Sequence, residues 1–198
     1  ATAGNGDIAP GTDRARQYSF TLPDGLPGVG ALTVEVTTDT NGDLVEYNLA
    51  GDAESNNTTT TSVTSTIAPY ADLVVTGLAI TPSSGVQSGN TITVSWDVQN
   101  DGNGNTDGSF YDRVSIVNTT TGQTLRTANV YYNEAATGNG SIGAGQKRAR
   151  QFTYTLPNGS GGAGAIEVTV TTDIFDNEFE YRAGIDAETN NASDKGAG

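Results

Sequence analysis

Two clusters of carboxylates and amides hold most of the chemistry this chain can offer. One gathers Asp39, Asp43, Glu46, Asp52 and Glu54 with Asn41, Asn56 and Asn57. The other gathers Asp173, Asp176, Glu178, Glu180, Asp186 and Glu188 with Asn177, Asn190 and Asn191. Six positions hold the same residue in both: Asp39/Asp173, Glu46/Glu180, Asp52/Asp186, Glu54/Glu188, Asn56/Asn190 and Asn57/Asn191. Calcium takes about six to eight hard oxygens from carboxylates, amide carbonyls, backbone and water, which suits Asp, Asn and Glu crowded at a strand end. The candidate ligands are Asp173, Glu180, Asp186, Glu188 and Asn190 in one cluster, and Asp39, Glu46, Asp52, Glu54 and Asn56 in the other. The plainer alternative is a solvated acidic loop in which Asp and Asn side chains cap their own turns.

Other candidates are weaker. Asp101, Asn103, Asn105, Asp107 and Asp112 fall at positions 1, 3, 5, 7 and 12 of an EF-hand-like loop. The glycine needed at position 6 is Thr106, position 12 is Asp rather than Glu, and no helical pattern flanks the segment, so a flexible hairpin loop is the better reading. Arg14/Arg16 and Arg148/Arg150 alternate with other residues along a strand and are expected on an outward face, paired with acids. Trp96, Phe110/Tyr111 and Tyr131/Tyr132 could stack on a sugar, although the phase of Trp96 puts it in a core and one of the two adjacent tyrosines must point outward. The acids sit on loops without an aromatic-lined cleft, which speaks against glycoside hydrolysis and against an enzyme in general.

The composition narrows the classes further. Among 198 residues there is no Cys and no His, which removes thiolate nucleophiles, Ser-His-Asp triads, the usual zinc ligands and disulfide frameworks. A net charge of −14 and only 9 basic residues argue against nucleic acid as a partner. No apolar run approaches the ~20 residues needed to span a bilayer. No secretory leader pattern is present, so the chain is expected to be mature, trimmed or a segment of something longer.

The most specific feature is internal. Residues 4–57 and 138–191 align without a gap at an offset of 134, with 28 of 54 positions identical by direct count. A period this long means tandem domains rather than a solenoid, whose repeats run about 20–50 residues. The first copy matches only the second half of a unit. This divides the chain into 1–57, a half repeat needing complementing strands; 58–69, a Thr/Ser-rich linker; 70–192, a complete unit; and 193–198, a tail. A window cut from a longer periodic array is the simplest expectation.

The full unit reads as strands. Ile92, Val94, Trp96 and Val98 alternate with polar residues, and so do Phe152, Tyr154 and Leu156, and Ile166, Val168 and Val170. That is the period of a half-buried strand. Segments beginning at Asp72, Phe110 and Thr124 add three more, and a seventh is expected around Asn177. Gly/Asn/Asp clusters separate them, and no segment sustains a helical stripe. The fold class is all-β: an immunoglobulin-like antiparallel sandwich of about seven strands, in a tandem arrangement of one half unit plus one full unit. A small barrel is the alternative. The half unit is expected to hold three strands, at 15–22, 31–38 and 44–49. Three strands cannot close two sheets, and each large side chain left open forfeits roughly 1.5–3 kcal/mol of burial. Strands from neighbouring repeat units or identical subunits are expected to complement it.

The full unit resembles the bacterial cell-adhesion-related domain known as CARDB. The resemblance rests on "ADLVVTGLAITPSSGVQSGNTITVSWDVQNDGNG" from Ala71, "SFYDRVSIV" from Ser109, "IGAGQKRARQFTYTLPNG" from Ile142, and the Asp…Glu…Asn-Asn ending at Asp186–Asn191. It covers about 120 residues, and the family's second half recurs in 1–57. The resemblance implies a non-catalytic β-sandwich used in tandem as a spacer or adhesive repeat in large secreted or surface proteins. The expected function is therefore a structural or adhesive repeat module of an extracellular prokaryotic surface protein or filament, spacing and linking modules, with calcium as the candidate stiffening ion. The alternatives are a glycan-binding or adhesin module, with a glycan or another cell surface as partner, and an accessory domain of a secreted hydrolase.

Overall fold

The computed structural model describes residues 6–183 and 187–197, which fall into two compact units, Ala1–Ile67 and Ala68–Gly198. In the first unit, strand β1 (Gly30–Thr37) pairs antiparallel with β2 (Thr58–Ser65), in register from Gly30↔Ser65 to Thr37↔Thr58. Short 3-10 turns at Leu26–Gly28 and Ala53–Ser55 flank them. Residues 15–22 and 44–49 were expected as strands, but among the described residues neither belongs to one. A strand exists only through its hydrogen-bonding partner, and this unit supplies none to 15–22. The segment before 44–49 turns at Asp39, whose φ is 46° and whose carboxylate accepts from the amides of Asp43 and Leu44 at 2.9 and 3.0 Å. The Thr/Ser stretch expected as a spacer is instead mostly β2. Its β-branched residues favour the extended backbone that pairing requires.

The second unit has seven strands among its described residues: β3 (Leu73–Thr81), β4 (Thr91–Asn100), β5 (Phe110–Asn118), β6 (Gln123–Tyr132), β7 (Lys147–Thr155), β8 (Ile166–Thr171) and β9 (Ala192–Ala197). They form two antiparallel sheets, β3-β4-β7 and β6-β5-β8-β9. One core lies between the sheets. Ile92, Val94, Trp96 and Val98 of β4 meet Phe110, Val114 and Ile116 of β5 and Ile166, Val168 and Val170 of β8, with Leu73, Tyr132, Ile142 and Leu156 closing it. The alternation along these strands puts every second side chain inward, and the burial follows that phase.

Two expectations shift here. The seventh strand is β9, where a tail was expected, while the segment around Asn177 forms no strand among the described residues and is tied to the start of β3 by a parallel bridge between Glu180 and Ala71. The 101–109 loop joins β4 to β5, which belong to different sheets, so it crosses the sandwich and is no hairpin. Two of its glycines are wedged against the backbone of residues 69–72: a Cβ on Gly102 would lie 2.4 Å from the carbonyl oxygen of Tyr70, and one on Gly104 2.6 Å from that of Pro69.

Candidate functional site

Two groups of buried charge sit in the second unit. The first is structural. Asp112, on β5, is fully buried at the phase of Phe110 and Val114. Arg150 reaches it from β7 in the opposite sheet, Nε to Oδ2 at 2.8 Å, with its side chain 11 % exposed. Trp96 Nε1 donates to the same oxygen at 3.2 Å, and Thr172 Oγ1 donates to Oδ1 at 2.8 Å. Arg150 also donates to the carbonyl of Val130 at 3.0 Å and lies over the Tyr132 ring. Burial pushes the Asp112 carboxyl up, against the pull of Arg150 and of the Thr172 and Trp96 donors. The expected outward face for Arg150 is corrected: it ties the two sheets together from inside. Asp112 is thereby unable to close an EF-hand-like loop. In that loop Asp101 accepts locally from Gln99, and Asn103 accepts from the Tyr70 amide, tying the loop to the segment before β3.

The second group lies where β3 begins, beside the segment that follows β8. Asp72 is fully buried; Arg182 Nη1 donates to its Oδ2 at 3.0 Å and Asn190 Nδ2 to its Oδ1 at 2.8 Å. Asp173 is buried with φ 40°, and its carboxylate accepts from the amides of Asn177 at 3.0 Å and Glu178 at 2.8 Å. These bonds fold the chain back so that Glu180 enters the interior, 6 % exposed, where Oε2 accepts from the Leu73 amide at 2.8 Å. Burial first, then the charges of Glu188, Asp173 and Asp72, push the Glu180 carboxyl up to about 9.

Among the described residues, Glu180 Oε1, Asn190 Oδ1 and Asn191 Oδ1 in this group are buried with no hydrogen-bond partner, as is Glu178 Oε1 two residues before Glu180. Asn190 and Asn191 are tied to it through Asp72 and Glu188, Asn191 Nδ2 donating to Glu188 Oε2 at 3.3 Å. A neutral Glu180 would carry a proton with no acceptor at Oε1, and an ionised one would be a buried charge among other acids. Either state is costly without a positive partner. The chemistry of the orphaned set, hard oxygens only, fits calcium. Among the described residues no three Asp or Glu carboxylates converge as a cage, so the amide oxygens are essential to any such site.

Of the expected ligands, the structure thus associates Asp173, Glu180, Glu188 and Asn190; Asp186 lies outside the described residues. Asp72 was missed, since its position at the head of an apolar strand marks it as a surface residue. In the first unit, Asp39 caps its turn, Glu54 accepts from the Glu46 amide at 2.8 Å and Asp52 accepts from Asn48 at 2.7 Å. Glu54, Asp52 and Asn56 are exposed. Asp39, Asp52 and Glu54 thus serve local turns, and among the described residues these five ligand candidates form no buried group.

An aromatic patch is the remaining feature. Tyr111 packs against Tyr131 with ring centroids 4.8 Å apart and the rings tilted by 35°, and meets Phe175 edge-on at 5.6 Å, with Arg113 over the Phe175 ring. Tyr131 and Phe175 are about half exposed. Phe175 sits within the acidic loop, where sequence reading attends to the acids.

No family model matches this chain, and no curated protein matches it. Among solved structures it is similar to the CARDB domain of the PF1109 protein of Pyrococcus furiosus in complex with di-metal ions. That match has 20% identity and a TM-score of 0.43, over 65% of this chain and 87% of that one. The solution structure of the same domain matches at 18% identity and a TM-score of 0.43, over 66% of this chain and 95% of that one. A third similar structure is the Pseudomonas fluorescens alkylpurine DNA glycosylase AlkC bound to DNA containing an abasic site analog. There the identity is 18% and the TM-score 0.35, over 52% of this chain and 28% of that one.

Proposed function

We propose that this chain is a spacer and linker of tandem β-sandwich modules on the outside of a cell or filament, stiffened by calcium bound at Glu180, Asn190 and Asn191. The carrying observation is the set of three donorless oxygens in a buried acidic group. It supports a cation that would pin the segment after β8 to the start of β3. The tandem arrangement draws its support from the repeat itself and from the short run of residues 66–72 between β2 and β3. The high negative charge suits an exposed, self-repelling module. Among the described residues no helix is long and apolar enough to cross a membrane.

Thermal melting of the full chain tests the metal. Millimolar calcium should raise the Tm of the second unit over that in chelator, and the gain should vanish in Glu180→Gln. An unchanged Tm in the unmodified chain removes calcium from the reading. The second reading is a glycan-binding module, favoured by the Tyr111–Tyr131–Phe175 patch. Saturable glycan binding lost in Tyr131→Ala and Phe175→Ala would replace the spacer role with an adhesive one.

A further inference from the structure

Residues 73–132 form the front half of the repeat and 147–197 its back half; 13–63, 134 residues earlier, is a second back half, whose closing strand β2 runs on to Ser65. In the second unit the back half is covered by the front half along two strand edges. β7 pairs with β4 from Thr91↔Thr155 to Gln99↔Lys147, and β8 pairs with β5 from Arg113↔Thr171 to Asn118↔Ile166. Phe152 and Tyr154 pack on the core, Leu156 is within it, and the Tyr154 hydroxyl donates to the Leu125 carbonyl at 3.0 Å.

The first back half keeps the pairing internal to it and lacks the other two. β1–β2 repeats the β8–β9 register, since Thr37↔Thr58 and Thr171↔Ala192 are the same pair 134 residues apart. The edge that β5 takes on β8 is empty on β1, and 13–21 has no strand partner among the described residues. Tyr18, Phe20 and Val36, the counterparts of Phe152, Tyr154 and Val170, are 88 %, 59 % and 54 % exposed. The charge pattern is also kept. Arg16 and Thr38 stand where Arg150 and Thr172 grip the buried Asp112.

We infer that residues 13–65 are an acceptor for one further front half of this same repeat, supplied from outside these 198 residues. The chain holds two back halves and one front half, and the one it holds already covers 147–197. Lending it to a second molecule moves the open face from one back half to the other and closes none. The incoming segment is specified by the second unit. Its counterpart of Val94 lies opposite Tyr18 and that of Ile92 opposite Phe20, its counterpart of Val114 lies opposite Val36, and a carboxylate at the place of Asp112 meets Arg16 and Thr38.

The inference rests on the repeat-module reading, but its test reads neither calcium nor glycan, so the two can fail separately. Residues 70–134 are duplicated and joined directly before Ala1 of the full chain, reproducing the spacing of the second unit, and amide exchange is followed residue by residue. In the unextended monomer, amides of 15–21 should exchange at least ~100-fold faster than those of 149–155. In the extended chain the two sets should become comparable. Equal protection in the unextended monomer overturns the inference, as does protection gained only on dimerisation, or an added segment that is itself protected while 15–21 stays open. Should the extended chain aggregate, the unmodified chain still decides. It should bind anilinonaphthalene sulfonate, less so in the Phe20→Ser/Val36→Ser double variant with the melt of the second unit unchanged; no dye binding means a covered face and overturns the inference.

Discussion

Residues 13–63 and 147–197 are two versions of one text, and their structures agree in some respects and part in others. The bonds that close over a few residues recur in both. Asp39 and Asp173 both adopt positive φ, and each carboxylate caps the amides four and five residues on. A longer connection within each half recurs too, at the mouth of its closing strand pair: Thr38 N donates to Asn57 O, and Thr172 N to Asn191 O, both at 2.9 Å. A Cβ on Gly28 would lie 2.2 Å from the Pro23 carbonyl oxygen, and one on Gly162 1.9 Å from that of Pro157. What parts them is everything contributed from far along the chain: the β4 and β5 edges and the burial of Leu156, 2 % exposed where Leu22 is 36 %. The turn chemistry therefore belongs to each half, and the core belongs to the pair of halves. Non-local pairing carries the large entropy cost and also the large apolar gain, so it is the part that disappears when one half stands uncovered.

The contrast can be broken most strongly at the buried ion pair. Arg150→Ala leaves Asp112 a lone charge in the core and should cost the second unit about 3–5 kcal/mol. Arg16→Ala, its counterpart, should change stability by less than about 0.5 kcal/mol. Denaturant melts of the two variants check this, and similar losses in both would mean that the first back half already has a closed core. Next comes Glu180→Gln in chelator. The folded chain holds the Glu180 proton up to about pH 9, whereas the unfolded chain releases it near 4.5, so the folded state binds the extra proton between them. Stability from this group is thus greatest below the unfolded value and falls as pH rises toward 9. The variant should flatten that decline, melting higher than the unmodified chain at pH 8 and the same at pH 4. The smallest effect should be shared: Gly28→Ala and Gly162→Ala each force a backbone carbonyl aside at about 1–3 kcal/mol of local strain. Chemical shifts of the neighbouring amides should move alike in both, and a change in only one would show that the two turns are not equivalent.

Much of the sandwich was legible because its inner faces are written in alternation: Ile92–Val98 of β4 and Ile166–Val170 of β8 place an apolar residue at every second position, and β5 and β7 keep the same period with charge at Asp112 and Arg150. Arg150 shares the phase of Phe152 and Tyr154, and Asp112 that of Phe110 and Val114. Their placement inside was therefore readable from period two, and only the habit of putting charge outside hid it. β2 and β9 were not legible by that rule. "TTTTSVTS" and "ASDKGA" have no apolar face to alternate. The Asn177 segment misled in the opposite way, since Phe179 and Tyr181 alternate like a strand while Asp173 turns the chain out of line. The buried acidic group was half legible. Asp173, Glu180, Glu188 and Asn190 stood out by their recurrence, but Asp72, 118 residues before Asn190, joins them only through the packing of β3.

The strand that closes each unit has a consequence of its own. Thr58–Val63 and Ala192–Ala197 occupy the same places and share no residue, yet their main chains bond in the same register. Their hold on the sheet is spelled in peptide groups, which every sequence but proline provides. Outermost strands of this kind are free to drift, so a lineage can repaint that flank with hydroxyls in one copy and with opposite charges in the next while the scaffold beneath stays put.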